Sequence, residues 1–160
     1  MRRILLALGV MCVVGLVARA QQTPGMAKPT PVPDRATLEK QFEEAMSGAT
    51  LVGTFTVAGR DDGKPLKHEK YTISKVSKVR DDFWLFQARI QYGDHDATLP
   101  LTLEVKWAGD TPVITLTDLT VPGFGTFTCR VLIYRDQYCG TWSGGDHGGA
   151  MFGRIEHEQR

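Results

Sequence analysis

The chain has no apolar run long enough to cross a bilayer, no excess of either charge, and only three cysteines in 160 residues. Its longest uncharged apolar stretch, Ile4 to Val17, is about fourteen residues, whereas a membrane helix takes about 20. A permanent transmembrane segment is therefore not expected. A formal charge of +1 supplies no basic face for a nucleic-acid partner. His-x-His, His-Glu-x-x-His and Cys-x-x-Cys spacings are all missing, which removes the usual zinc and dithiol signatures. No cofactor is expected.

What is present begins with an export pattern. Arg2 and Arg3 precede the apolar run, and Ala18-Arg19-Ala20 follows it, so residues 1–20 read as a signal peptide cleaved before Gln21. Met11, directly before Cys12, is too bulky for a lipidation site. Processing would remove three arginines and no acids, moving the formal charge to about −2. The expected location is periplasmic or extracellular, where disulfides form and persist. Cys129 and Cys139 flank the turn-like Tyr134-Arg135-Asp136-Gln137, and a bridge across that hairpin is the first reading. Two buried thiols acting as small apolar residues are the alternative.

Residues 21–33 carry Pro24, Pro29, Pro31 and Pro33 with little to bury, and read as an extended, disordered leader. From 34 to 160 a single domain is expected. Asp34 can cap a helix over 35–47, whose Leu38, Phe42 and Ala45 or Met46 share one face. After Ser47-Gly48 the period changes to two, and strands are expected from 51 to 156. Trp84, Phe86, Ala88, Ile90 and Tyr92 make the cleanest stripe, and Leu99, Leu101, Leu103, Val105 and Trp107 the next. Tyr71 and Ile73 alternate before Val76 falls out of phase, so a β-bulge is expected near Ser74-Lys75. The resulting fold class is all-β: an eight-stranded antiparallel up-and-down meander with one short N-terminal helix. Closure into a barrel would remove exposed edges, and an open two-sheet sandwich is the rival.

A short helix leading into Gly53-Thr54-Phe55, followed by eight meandering strands, resembles the calycin plan of lipocalins and avidins. That family carries Gly-x-Trp in the first strand and packs a basic residue from near the last strand over the indole. Here Phe55 stands in the tryptophan's place and Arg154 is the candidate partner, while Gly140-Thr141-Trp142 lies in the seventh strand. As a whole the chain also resembles small exported bacterial proteins as a group. Fold likeness does not fix a ligand.

In a meander the odd-numbered connections share one end. Asp61, Asp62 and His68, then Asp94-His95-Asp96, then Asp146-His147 would gather there. The helix would cover the other end. Imidazole and carboxylate suit divalent metals, so Asp94, His95 and His147 form a candidate metal site, although Asp and Gly are also ordinary turn residues. Cys139, His147 and Asp146 could supply a thiol, a base and an orienting acid, but a bridge to Cys129 would silence that thiol. The reading leans away from an enzyme. The best-supported expectation is a barrel binding a small molecule through Trp84, Phe86, Tyr92, Asp146 and His147, at a mouth rimmed by the glycine-rich loop from Gly144 to Gly149. A filled barrel acting as an envelope or secreted interaction protein is the alternative, with a metal-dependent enzyme as a third.

Overall fold

Asp34 accepts a hydrogen bond from the Thr37 backbone N–H at 2.8 Å, satisfying one of the orphan donors at the start of helix α1, Arg35–Met46. This computed structural model describes residues 33–60, 63 and 65–157. The expected export signal of 1–20, and the proline-rich leader of 21–33 apart from Pro33, lie outside the described residues, as do Asp61 and Asp62. Leu38, Phe42 and Met46 face inward from α1, on the stripe that the helical period sets.

Eight strands follow: β1 (Ala49–Phe55), β2 (Lys67–Arg80), β3 (Phe83–Tyr92), β4 (His95–Ala108), β5 (Thr111–Val121), β6 (Gly125–Tyr134), β7 (Gln137–Gly144) and β8 (His147–His157). Each pairs antiparallel with the next, and β1 pairs with β8, so the sheet is a closed up-and-down barrel rather than a sandwich. The alternation in sequence is what closes it. Trp84, Phe86, Ala88 and Ile90 are buried along β3, while Lys70, Lys75, Gln87 and Arg89 are exposed on the outer face. An apolar interior with a polar exterior is the reverse of a transmembrane barrel's arrangement. The bulge falls where the sequence pattern slips: Ile73 opposes Ala88, Lys75 opposes Gln87, and Ser74 is left over. One extra residue returns Val76 to the interior, where it is fully buried.

The wall is not uniform. β3 and β4 pair over ten positions from Phe83–Glu104 to Tyr92–His95. The β4–β5 ladder covers only Glu104–Ala108 against Thr111–Thr115. Beyond it, toward the β3–β4 turn, the two strands part, and Pro100 sits on the parted stretch of β4. A residue without an N–H is suited to such a position.

Helix α1 stoppers the barrel at the end of the β2–β3 and β4–β5 turns. Phe42 makes edge-to-face contacts with Trp84, Phe86 and Trp107 at centroid distances of 5.2, 6.2 and 6.0 Å. Arg35 lies over the Trp107 ring and bonds Asp82 in the β2–β3 turn at 3.1 Å. Ser47 Oγ accepts from the Val76 N–H at 3.0 Å, fastening the helix exit to β2.

The expected disulfide is not formed, and Cys129 and Cys139 are free thiols. The hairpin register explains this. Tyr134 opposes Gln137, so Cys129 faces Trp142 and Cys139 faces Leu132. The two cysteines are an odd number of positions out of line, which puts Cys129 on the inner face and Cys139 on the outer one.

Two outcomes are expected. Phe42→Ala should destabilise the fold by about 3–5 kcal/mol, read as a lowered midpoint in chemical denaturation at unchanged slope. Iodoacetamide applied to the native, unreduced protein should label the exposed Cys139 and spare Cys129 in peptide mapping, with both labelled after denaturation. A disulfide-linked peptide pair would contradict this register.

Candidate functional site

Because α1 fills one end and inner-face side chains stop short of the axis, the middle of the barrel encloses a cavity of about 200 Å³. Its lining is almost wholly apolar and runs from Phe86, Leu103 and Ile114 on the helix side to Phe55, Tyr92, Phe124 and Trp142 at the far end. These last four form a chain of tilted and edge-on rings around the mouth. Trp142 meets Phe55 at 5.8 Å, Phe55 meets Tyr92 at 6.2 Å, and Tyr92 meets Phe124 at 5.6 Å. The Trp142 indole N–H donates to the Thr56 carbonyl at 3.1 Å, which fixes that ring's orientation.

One carboxyl group breaks the apolar lining. Glu69, on the inner face of β2, is only 5% exposed. The Tyr138 hydroxyl donates to its Oε1 at 2.8 Å and the Tyr71 hydroxyl to its Oε2 at 2.9 Å. Tyr71 lies two residues along the same strand, so it reaches Glu69 locally. Tyr138 has to come across two strands, β8 and β1. The register shows how: Tyr138 pairs with Gly153, Gly153 with Gly53, and Gly53 with Glu69. Both glycines are on the inner face, and a Cβ at Gly53 would stand 2.3 Å from the Tyr138 hydroxyl. With no side chains beneath it, the phenol lies flat against the backbone and extends to the carboxyl.

The electrostatics follow from burial. Loss of solvent raises the Glu69 pKa, an effect opposed by the two tyrosine hydrogen bonds. Burial, followed by the nearby Glu69 carboxyl, raises both Tyr71 and Tyr138, so both phenols remain protonated donors. Burial also pushes the Cys129 thiol up to about 11. A thiol so far from ionising at neutral pH is a poor nucleophile.

The sequence candidates are placed as follows. Phe86 and Tyr92 line the cavity. Trp84 does not: it is buried beneath α1 against Phe42 at the stoppered end. Asp146 and His147 stand at the mouth end, in the β7–β8 turn, paired with each other at 2.7 Å and outside the cavity wall. The Gly144–Gly149 segment is a tight hairpin rather than an open loop, with β7 ending at Gly144 and β8 starting at His147. Gly145 takes the turn's positive φ of 61°, whereas Gly149 serves close packing, since a Cβ there would meet the Thr56 carbonyl at 2.1 Å. Asp94 is exposed. His95 is stacked on Tyr92 and Phe124 at 4.9 and 5.2 Å, and Asp96 is held by Arg89. Among the described residues no group of three or more His, Cys, Asp or Glu side chains is placed to hold a metal. Cys139 faces outward on β7, opposite Leu132 and Phe152. Arg154 also points outward, to Glu156, so the basic residue over a first-strand aromatic that the calycin likeness implies is not made.

Sequence reasoning missed Glu69, Tyr138 and the Gly53–Gly153 pair. A signal for the first was available: Glu69 stands two residues before Tyr71 and four before Ile73, the inward set of β2.

Glu69 gives a pH signature with a definite sign. Its folded pKa lies above the ordinary 4.5, so its contribution to stability is complete below that value and is lost as pH rises through the raised one. Relative to wild type, Glu69→Gln should flatten this fall and raise the melting temperature at about pH 8, where the buried charge is otherwise carried. Parallel thermal melts across the acid-to-neutral range check it. Identical pH profiles for the two proteins would refute it.

No protein-family profile matches the chain, and no curated protein matches it either. The fold and the cavity are therefore the grounds for a functional reading.

Proposed function

We propose that the protein is an exported, non-enzymatic β-barrel that binds one small, mainly apolar molecule inside the barrel. The observation that carries this is the cavity of about 200 Å³, closed by α1 at one end and ringed by aromatic side chains at the other. A buried cavity of about 150 Å³ holds a benzene-sized molecule, while drug-sized ligands occupy about 300–1,000 Å³. The occupant is accordingly a compact molecule, on the order of 10 non-hydrogen atoms. A side-chain-filled interaction barrel fits less well, because its interior would be packed. Export rests on the arginine pair, apolar run and small-residue site of residues 1–20.

The unreactive thiol at Cys129 and the scatter of the other acids over the helix, separate strands and separate turns favour binding over catalysis. Asp146 and His147 are assigned to the mouth's outer edge, where they would meet a ligand on entry.

The test is ligand-observed NMR with benzene, indole and naphthalene on wild type and on Ala88→Phe, which adds a ring inside the cavity from a buried wall position. Saturation transfer to at least one probe in wild type, lost in A88F, is expected. No transfer to any probe, or equal transfer in both proteins, would overturn the reading.

A further inference from the structure

We propose that Glu69 is an anchor for a basic amine, and that the barrel takes a small arylalkyl or alkyl ammonium with its apolar body in the cavity and its nitrogen on the carboxylate. This rests on the binding reading above and specifies the ligand's chemistry.

Glu69 is an acid left without a counter-charge. Glu69 lines the cavity and is nearly fully buried, yet no cation pairs with it among the described residues. Buried charges are ordinarily paired. Tyr71 and Tyr138 supply hydrogen bonds but no positive charge.

Donors and acceptors at Glu69 are also out of balance. A carboxylate has about four lone-pair sites, and the two tyrosines occupy one on each oxygen. Acceptor capacity remains, whereas both hydroxyl protons are already committed. A ligand carboxylate or phosphate would find like charge and no free donor at this point. A neutral hydrocarbon would leave the carboxylate unmatched. An ammonium brings both positive charge and up to three donors.

The surround of Glu69 is aromatic. Tyr92 pairs directly with Glu69 across β2–β3, and it belongs to the mouth chain with Phe55, Phe124 and Trp142. Aromatic faces around a cation add attraction that strengthens as water is excluded. A metal ion is a poor fit, since Glu69 is a single carboxylate with no further ligand group assembled among the described residues.

The groups facing Glu69 are Tyr71 on its own strand, Tyr92 on β3, Cys129 on β6 and Tyr138 on β7. All four are neutral across the acid range, which leaves Glu69 as the group whose titration controls the site.

The experiment is NMR titration of wild type and Glu69→Gln with 2-phenylethylamine, its neutral isostere propylbenzene, and 3-phenylpropanoate. Wild type should favour the amine over propylbenzene by roughly tenfold or more and bind the anion weakest. E69Q should keep propylbenzene binding and lose the preference, and in wild type the preference should fade as acid protonates Glu69. The wild-type pH series decides alone if the variant does not fold. Propylbenzene or 3-phenylpropanoate binding as well as the amine, or an amine preference that survives in E69Q or in acid, would overturn the assignment while leaving a binding barrel. Failure of all three probes would overturn the binding reading and this assignment with it.

Discussion

Where the barrel closes, β1 and β8 meet at a point where neither carries a side chain. Gly53 and Gly153 oppose each other on the inner face, and a Cβ on Gly153 would sit 2.3 Å from the Val52 carbonyl and 2.6 Å from the Gly53 Cα. Backbone approach this close is available to glycine alone. The same bare patch receives the Tyr138 ring, and that ring reaches Glu69. The close approach of β1 and β8 and the reach of Tyr138 to Glu69 thus share a single pair of residues.

The two ends then diverge. At the stoppered end the aromatic side chains pack on one another and on α1, and their job is cohesion: Trp84 is 1% exposed and Phe42 4%. At the mouth the rings meet edge to face or tilted and leave the axis open. Similar residue types therefore do different work according to which turns they stand beside. Between these ends Glu69 detracts from stability as an ionised group in an apolar wall, a pattern that accompanies binding sites more often than plain cores.

Local periodicity made much of the fold legible. The β3 and β4 stripes, the helix over Leu38 and Phe42, the slip at Ser74 and the helix-covered end depend on residues close in sequence, and each is found in the structure. Features set by register between strands were not legible. Cys129 and Cys139 look well spaced for a bridge until the turn at Arg135–Asp136 fixes their faces. Trp84 and Phe86 belong to one stripe, yet only Phe86 reaches the cavity, because depth along the barrel axis is not encoded by alternation. The glycines from Gly144 to Gly149 resemble a loop in composition, but two of them answer to chain distant in sequence: Gly144 lies against Phe127 of β6 and Gly149 against Thr56, just past β1. Glu69 was hidden for a related reason, since its partner Tyr138 lies 69 residues away.

The parting of β4 from β5 gives the wall a pleat. Around most of the circumference, widening the mouth would mean breaking ladder hydrogen bonds, but between Leu103 and Leu116 no ladder bond remains to be broken. Leu101, Leu116 and Val121 border both this pleat and the cavity. The girth of the chamber near its mouth is thus set on this flank by side chains rather than by a ladder, whereas at the stoppered end the β4–β5 ladder sets it.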